Sequence, residues 1–224
     1  TMAQWETIKA TGLRVEFIDF EKTGNPYSVP YEAIIDAREY GHLWVFPTDD
    51  GFGSGFTDND VSNNPLLALT DEIISGRQAR VNDIFRIVHD YFGHIKDGNG
   101  FGPTGEENAW QSHVAMYSPL AAKAMTSETR GQNSWVNYGP VGEQNRADPA
   151  NTVYADQKIG LLPDWVMEEA RAPPTTLLQS GAPAAPSELF PGYDAEHRQA
   201  RFDEWFGDSQ VMDYVDGKWV PTVV

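Results

Sequence analysis

The sequence predicts a mainly α chain with small peripheral β elements, of the α+β class. Three observations carry that expectation. Apolar residues recur at helical spacing in several stretches, most strongly over 82–92. Period-two alternation is confined to short segments near 13–20, 42–46 and 211–223. The 224 residues are 40% hydrophobic and 12% aromatic, with seven Trp, enough apolar volume for a packed core and too much for a disordered chain.

Residues 13–20 (LRVEFIDF) alternate and read as a strand. Gly24-Asn25-Pro26 is a turn. Over 30–39, Tyr31, Ile34, Ile35 and Arg38 fall at helical spacing, and Gly41 ends the helix. A second strand follows at 42–46 (HLWVF). Residues 47–64 are rich in Gly, Asp and Asn and read as a long loop, of the kind ordered around something rather than structureless. Residues 65–78 suggest a modest helix. Asn82 or Asp83 then caps an amphipathic helix with Ile84, Phe85, Val88 and Phe92 as its buried stripe and Gly93 near its end.

The glycine-rich stretch 97–105 is a loop; it lacks the lysine and the preceding strand of a phosphate cradle. Thr104 and Glu107 have capping-box spacing and open a helix to about Tyr117. Ser118-Pro119 starts an alanine-rich helix over 119–129. Residues 130–160 are mostly polar, and 161–171 read as a short helix. A Pro/Ala/Ser-rich linker at 172–193, a helix at 194–206 and a hairpin around Asp216-Gly217 complete the chain. The domain expectation is one metal-binding catalytic domain over 1–171, with 172–224 as an extended linker, helix and hairpin packing on the same domain.

Composition narrows the function. The formal charge is −17, from 33 acidic and 16 basic residues, and repels nucleic-acid phosphates and anionic lipid. Direct duplex binding and a membrane partner are therefore not expected; a small-molecule substrate is. The absence of cysteine excludes disulfides, thiolate zinc sites and iron–sulfur clusters, so a metal must take N and O ligands. No apolar run reaches membrane-spanning length, which makes the cytoplasm the expected location.

The chemistry concentrates in one region. Of five histidines, His89, His94 and His113 fall within 25 residues, beside Asp90, Glu106, Glu107 and Glu128. Two imidazoles and a carboxylate form the ligand set of a mononuclear non-haem iron site and leave other positions open. His89 and His94 are the candidate metal-binding pair, and Glu128 is the candidate carboxylate, with an exposed helix-end acid paired with Arg130 as its alternative. Five residues along an ideal helix separate two side chains by about 140°, so the helix must loosen, and Gly93 is the place for it. Asp90, one turn before His94, orients an imidazole. Glu106 and His113, seven apart on one helix face, are candidates for proton transfer. Downstream, Arg130, Gln132 and Trp135 offer a clamp, an amide and a flat ring for substrate. The plain alternative for these residues is a solvated helix face and a polar loop.

The run His89-Asp90-Tyr91-Phe92-Gly93-His94 resembles the H-[DE]-x-x-G-H motif of the pterin-dependent aromatic amino acid hydroxylases. Tyr138-Gly139 and Gly160-Leu161-Leu162 resemble further words of that family. The resemblance implies a reduced version of that family's catalytic domain, with Fe(II) held by His89, His94 and Glu128, and a pterin as reductant. Ile95-Lys96-Asp97 stands where the family has Pro-Leu-Leu, and Lys123-Ala124 replaces the aromatic pair before the glutamate. The words FGPTGEENAW and ETRGQNSWVNYG are similar to stretches of uncharacterised phage-encoded proteins, which would place the chain in a host cytoplasm. His89-Asp90 also resembles the HD phosphohydrolases, nucleotide-hydrolysing enzymes in which His42 and Asp156 would supply the outlying ligands. The leading expectation is an iron-dependent monooxygenase, a hydroxylase. The alternatives are an HD-type metal phosphohydrolase and a non-catalytic phage accessory protein.

Overall fold

The computed structural model describes residues 1–52, 56–155, 159–168, 210–215 and 218–221. They are mostly helical with small sheets. The chain divides into two compact units, Thr1–Gly105 and Glu106–Val224. That boundary falls inside the stretch 1–171 that the sequence presents as one domain. The linker expected at 172–193 and the helix expected at 194–206 lie outside the described residues.

The first unit begins with helix α1 (Met2–Ala10), strand β1 (Arg14–Phe17) and the single turn α2 (Phe20–Thr23). Helix α3 (Tyr31–Tyr40) follows and ends at Gly41 in the left-handed conformation, φ 62°. Strand β2 (His42–Val45) then pairs with β1 in parallel, Arg14 opposite His42 and Phe17 opposite Val45. A parallel pair needs a crossover, and α3 supplies it. The region 47–64 is more regular than a loop: a 3₁₀ turn forms at Thr48–Asp50 and helix α4 at Asp58–Asn63. Thr57 caps α4, with its hydroxyl accepting from Asp60 N–H while the Asp60 carboxylate accepts from Thr57 N–H.

The helix expected over 65–78 is a hairpin. Strands β3 (Leu69–Ile74) and β4 (Arg77–Arg80) pair antiparallel, Ile74 opposite Arg77. Ser75 and Gly76 both have positive φ, 53° and 77°. This is the two-residue turn whose twist matches the strands, and its φ > 0 pair overrides the weak helical spacing.

Helix α5 (Val81–His89) buries Ile84, Phe85, Ile87 and Val88, close to the expected stripe. Its start differs from the expectation. Asp83 is the third helical residue, and its buried carboxylate reaches back to Arg80 N–H at 2.7 Å and to Thr48 N–H and hydroxyl at 2.7 and 2.6 Å. The core of this unit gathers Trp5 and Ile8 of α1, Ile34 of α3, Leu43 of β2, and Ile84, Ile87 and Val88 of α5.

Past His89 the helix widens into a π-helix over Asp90–Ile95. Lys96 N–H donates to Tyr91 O, five residues back, at 2.8 Å. Arg38 of α3 holds the end of this turn, donating to the carbonyls of Ile95 and Lys96 at 2.7 and 2.8 Å. The 97–105 loop then leads into helix α6 (Pro103–Val114), which crosses the boundary between the units at its first turn.

In the second unit α6 continues to Val114, followed by α7 (Pro119–Thr126), a second π-helical segment (Ser127–Gly131), α8 (Gln132–Tyr138) and α9 (Gly142–Ala147). The polar text of 130–160 is thus helical over much of its length. Strand β5 (Ile159–Leu161) closes the polar stretch, and helix α10 (Asp164–Glu168) falls within the short helix expected at 161–171. The hairpin expected near 211–223 forms: β6 (Gln210–Val215) pairs antiparallel with β7 (Lys218–Pro221) and with β5 on its other side. Trp110, Val114, Ala122, Met125 and Val166 are buried here. Among the described residues no helix is long and apolar enough to cross a membrane.

Candidate metal centre

The π-helix resolves the geometric difficulty in the five-residue histidine spacing. In an α-helix His89 and His94 diverge by about 140°. A segment whose hydrogen bonds close over five residues brings positions i and i+5 onto one side. Both imidazoles are buried, their rings 5.2 Å apart and nearly perpendicular at 88°. Each faces an aromatic ring: Phe85 lies parallel to His89 at 6.3 Å, and Phe101 stacks on His94 at 4.2 Å. His94 Nδ1 donates to the carbonyls of Asn99 and Gly100, both at 3.1 Å.

Glu106 completes the group. It lies in the first turn of α6, one residue past Gly105, the last residue of the first unit. One ligand atom each from His89, His94 and Glu106 lies within 4.8 Å of the other two. Neighbouring ligands on an ion with bonds of ~2.1 Å stand about 3 Å apart, so side-chain rotations of an ångström or so would close the three onto an ion. The donors are two imidazole nitrogens and a carboxylate oxygen, which suit a divalent first-row metal.

Other expected site residues take various places. Asp90, the first residue of the π-helix, is half-buried. Its charge acts on Tyr27, whose phenol burial pushes well above its usual range; the Asp36 carboxylate adds to the rise and Asp90 contributes less. Glu128 is exposed in the second π-helical segment and is not a member of the His89–His94–Glu106 group. His113 is fully buried in α6 with its ring against Tyr117 at 4.9 Å. Gln132 is exposed and Trp135 half-buried, both on α8.

Arg130, read from the sequence as a substrate clamp, is buried and committed inside the second unit. Its Nη2 and Nε meet the two Glu107 oxygens at 2.9 and 3.2 Å, and Nη1 donates to Val166 O at 2.6 Å. The guanidinium also lies over the Trp110 ring at 4.4 Å. Burial pulls its pKa down, and the Glu107 carboxylate opposes that. Glu107 is therefore the partner of a buried cation and not the capping-box acid its spacing suggests.

His42, which the phosphohydrolase reading would recruit, sits on β2 between two carboxylates: Nδ1 is 2.7 Å from Asp36 and Nε2 3.1 Å from Glu16. It is not a member of the metal group, and Asp156 lies outside the described residues. The sequence reading missed Asn99, Phe101 and Arg38 as supports of the site. Carbonyl partners and ring stacking have no sequence signature; only the clustering of glycines around Asn99 and Phe101 pointed there.

Comparison of the chain with family models, with curated proteins and with solved structures returned no match.

Proposed function

We propose that this protein binds one divalent metal ion through His89, His94 and Glu106 and uses it as a mononuclear non-haem iron(II) oxygenase, a hydroxylase of a small-molecule substrate in the cytoplasm. The observation that carries the reading is the π-helix, which turns a five-residue spacing into a shared ligand face beside a carboxylate. π-turns inside helices are frequent at functional sites. Two imidazoles and one carboxylate leave room on the ion for oxygen and substrate. Iron would supply the activation of oxygen. Hydroxylation inserts one oxygen atom into a C–H bond and releases the other as water, so two further electrons must come from an organic reductant. The hydroxylase resemblance makes that reductant a pterin.

In this arrangement the chain's own task is positional. His94 would ligate through Nε2, because Nδ1 is engaged with carbonyls. Glu128 is the acid the resemblance favours and Glu106 the one within reach of the histidines, so the two are tested separately. Zinc accepts the same donors, so the loading experiment carries a zinc arm.

The test is anaerobic loading with iron(II) or zinc, followed by metal analysis, calorimetry and, with a reduced pterin supplied, oxygen uptake on the wild type and on His94→Ala, Glu106→Gln and Glu128→Gln. One ion per chain, lost in His94→Ala and weakened in Glu106→Gln, with oxygen consumed only by the iron form, is the expected result. Loss in Glu128→Gln instead moves the carboxylate role to that residue. A wild type that takes up neither metal leaves the histidines structural and the protein a non-catalytic accessory.

A further inference from the structure

We infer that Arg38 is the positioning residue of the metal centre: its guanidinium holds the end of the segment Asp90–Ile95 in the π register, and without it the segment winds as an α-helix that parts the two imidazoles. The register is a property of the metal-free protein; its consequence for the ion rests on the metal-centre reading.

Apolar packing does not choose between the two windings. Val88, Phe92 and Ile95 are buried in one core cluster. Phe92 and Ile95 follow Val88 by four and seven residues. That is also the stripe of an ordinary α-helix, in which the three side chains fall within about 60° of one another. An α-helix through Asp90–Ile95 would present the same face to the core. The π-helix is the rarer winding, so a group outside the stripe must favour it.

Arg38 is that group. From α3, its Nε donates to Ile95 O at 2.7 Å and its Nη2 to Lys96 O at 2.8 Å. These two consecutive carbonyls close the π-helical segment, and Lys96 N–H itself returns to Tyr91 O at 2.8 Å. Hydrogen bonds from a guanidinium are charge-assisted, and its planar fork fixes the direction of both acceptors. A cation at a helix C-terminus also suits the carbonyl dipoles.

The fork is fixed relative to the helix that it reads. Ile34 and Ala37 anchor α3 in the same core as Ile84, Ile87 and Val88 of α5. On the other side Gly98, at φ 77°, passes beside the guanidinium, where a Cβ would stand 3.5 Å from Nη2. One residue of register amounts to about 100° of rotation and about 1.5 Å along a helix. The carbonyls of Ile95 and Lys96 therefore meet the fork together only in the π winding. The same slip carries His94 away from His89, since an α-helix sets residues five apart about 140° from each other.

Trans-hydrogen-bond ¹⁵N–¹³C′ couplings, measured on metal-free, deuterated full-length protein, read the register directly. The Lys96 amide should couple to the Tyr91 carbonyl in the wild type. In Arg38→Met the coupling should move to the Phe92 carbonyl, and iron(II) and zinc binding should weaken by at least about 10-fold in calorimetry. Loss of stability without a change of winding would leave the acceptor at Tyr91. Arg38→Lys, a point charge without the fork, should divide the coupling between the two carbonyls, and it carries the test if Arg38→Met does not fold. A Lys96–Phe92 coupling in the wild type, or a Lys96–Tyr91 coupling undiminished in the variant that carries the test, overturns the inference. A register that moves in the variant, in a protein whose wild type binds no metal, supports the register lock and overturns the metal-centre reading instead.

Discussion

Arg130 shows how one residue's environment changes its meaning. In the sequence it is a cation in a polar tract near Gln132 and Trp135. In the fold its guanidinium is buried against Glu107, Val166 O and the Trp110 ring. Removing one member of a buried ion pair strands the other charge, at a cost of about 3–5 kcal/mol. Arg130→Met should therefore lower unfolding free energy by about that amount in urea denaturation. Arg130→Met combined with Glu107→Leu should recover most of the loss, because no unpaired charge remains. A single-variant loss under about 1 kcal/mol would show that Glu107 finds another partner or water.

At the scale of elements, local signals succeed where the local chain decides the outcome. The helix ending at Gly41 and the apolar stripe of α5 follow from spacing and a left-handed glycine. The β3–β4 hairpin carries little strand signal in its sequence, and its pairing shifts register between Leu69 and Ile73. The Ser75-Gly76 pair was the available clue. Helix α4 permits a direct test. Thr57 N–H and hydroxyl hold the Asp60 carboxylate below its ordinary pKa of 3.8. A depressed carboxylate stabilises in its charged form, so the contribution is complete above pH 3.8 and is lost as pH falls through the folded-state value. Asp60→Asn should cost about 0.5–1 kcal/mol at pH 7. Denaturation curves of variant and wild type should converge as the pH drops below 3.8; an unchanged gap in acid would mean that the charge is not what caps the helix.

The whole chain carries a formal charge of −17. Excess charge of one sign opposes a compact state through self-repulsion. Raising monovalent salt from roughly 10 mM to 150 mM shortens the screening length from about 30 Å to about 8 Å. The melting temperature should rise by a few degrees over that range in scanning calorimetry. A fall would mean that ion pairs such as Lys9–Glu72 and Arg80–Asp49 outweigh the repulsion.

The order of the residues alone settled the mainly helical character, the acidic surface, the N/O-only ligand inventory and the pairing of His89 with His94. These depend on composition or on contacts a few residues apart. Tertiary structure decided the rest: that the helix widens into a π-turn braced by Arg38, that Glu106 reaches the histidines, and that Arg130 is sealed inside with Glu107. The physical reason is common to all three. A backbone carbonyl, a steric gap at a glycine or the burial of a charge acquires its energy only when distant parts of the chain meet, and residue spacing carries no record of that meeting.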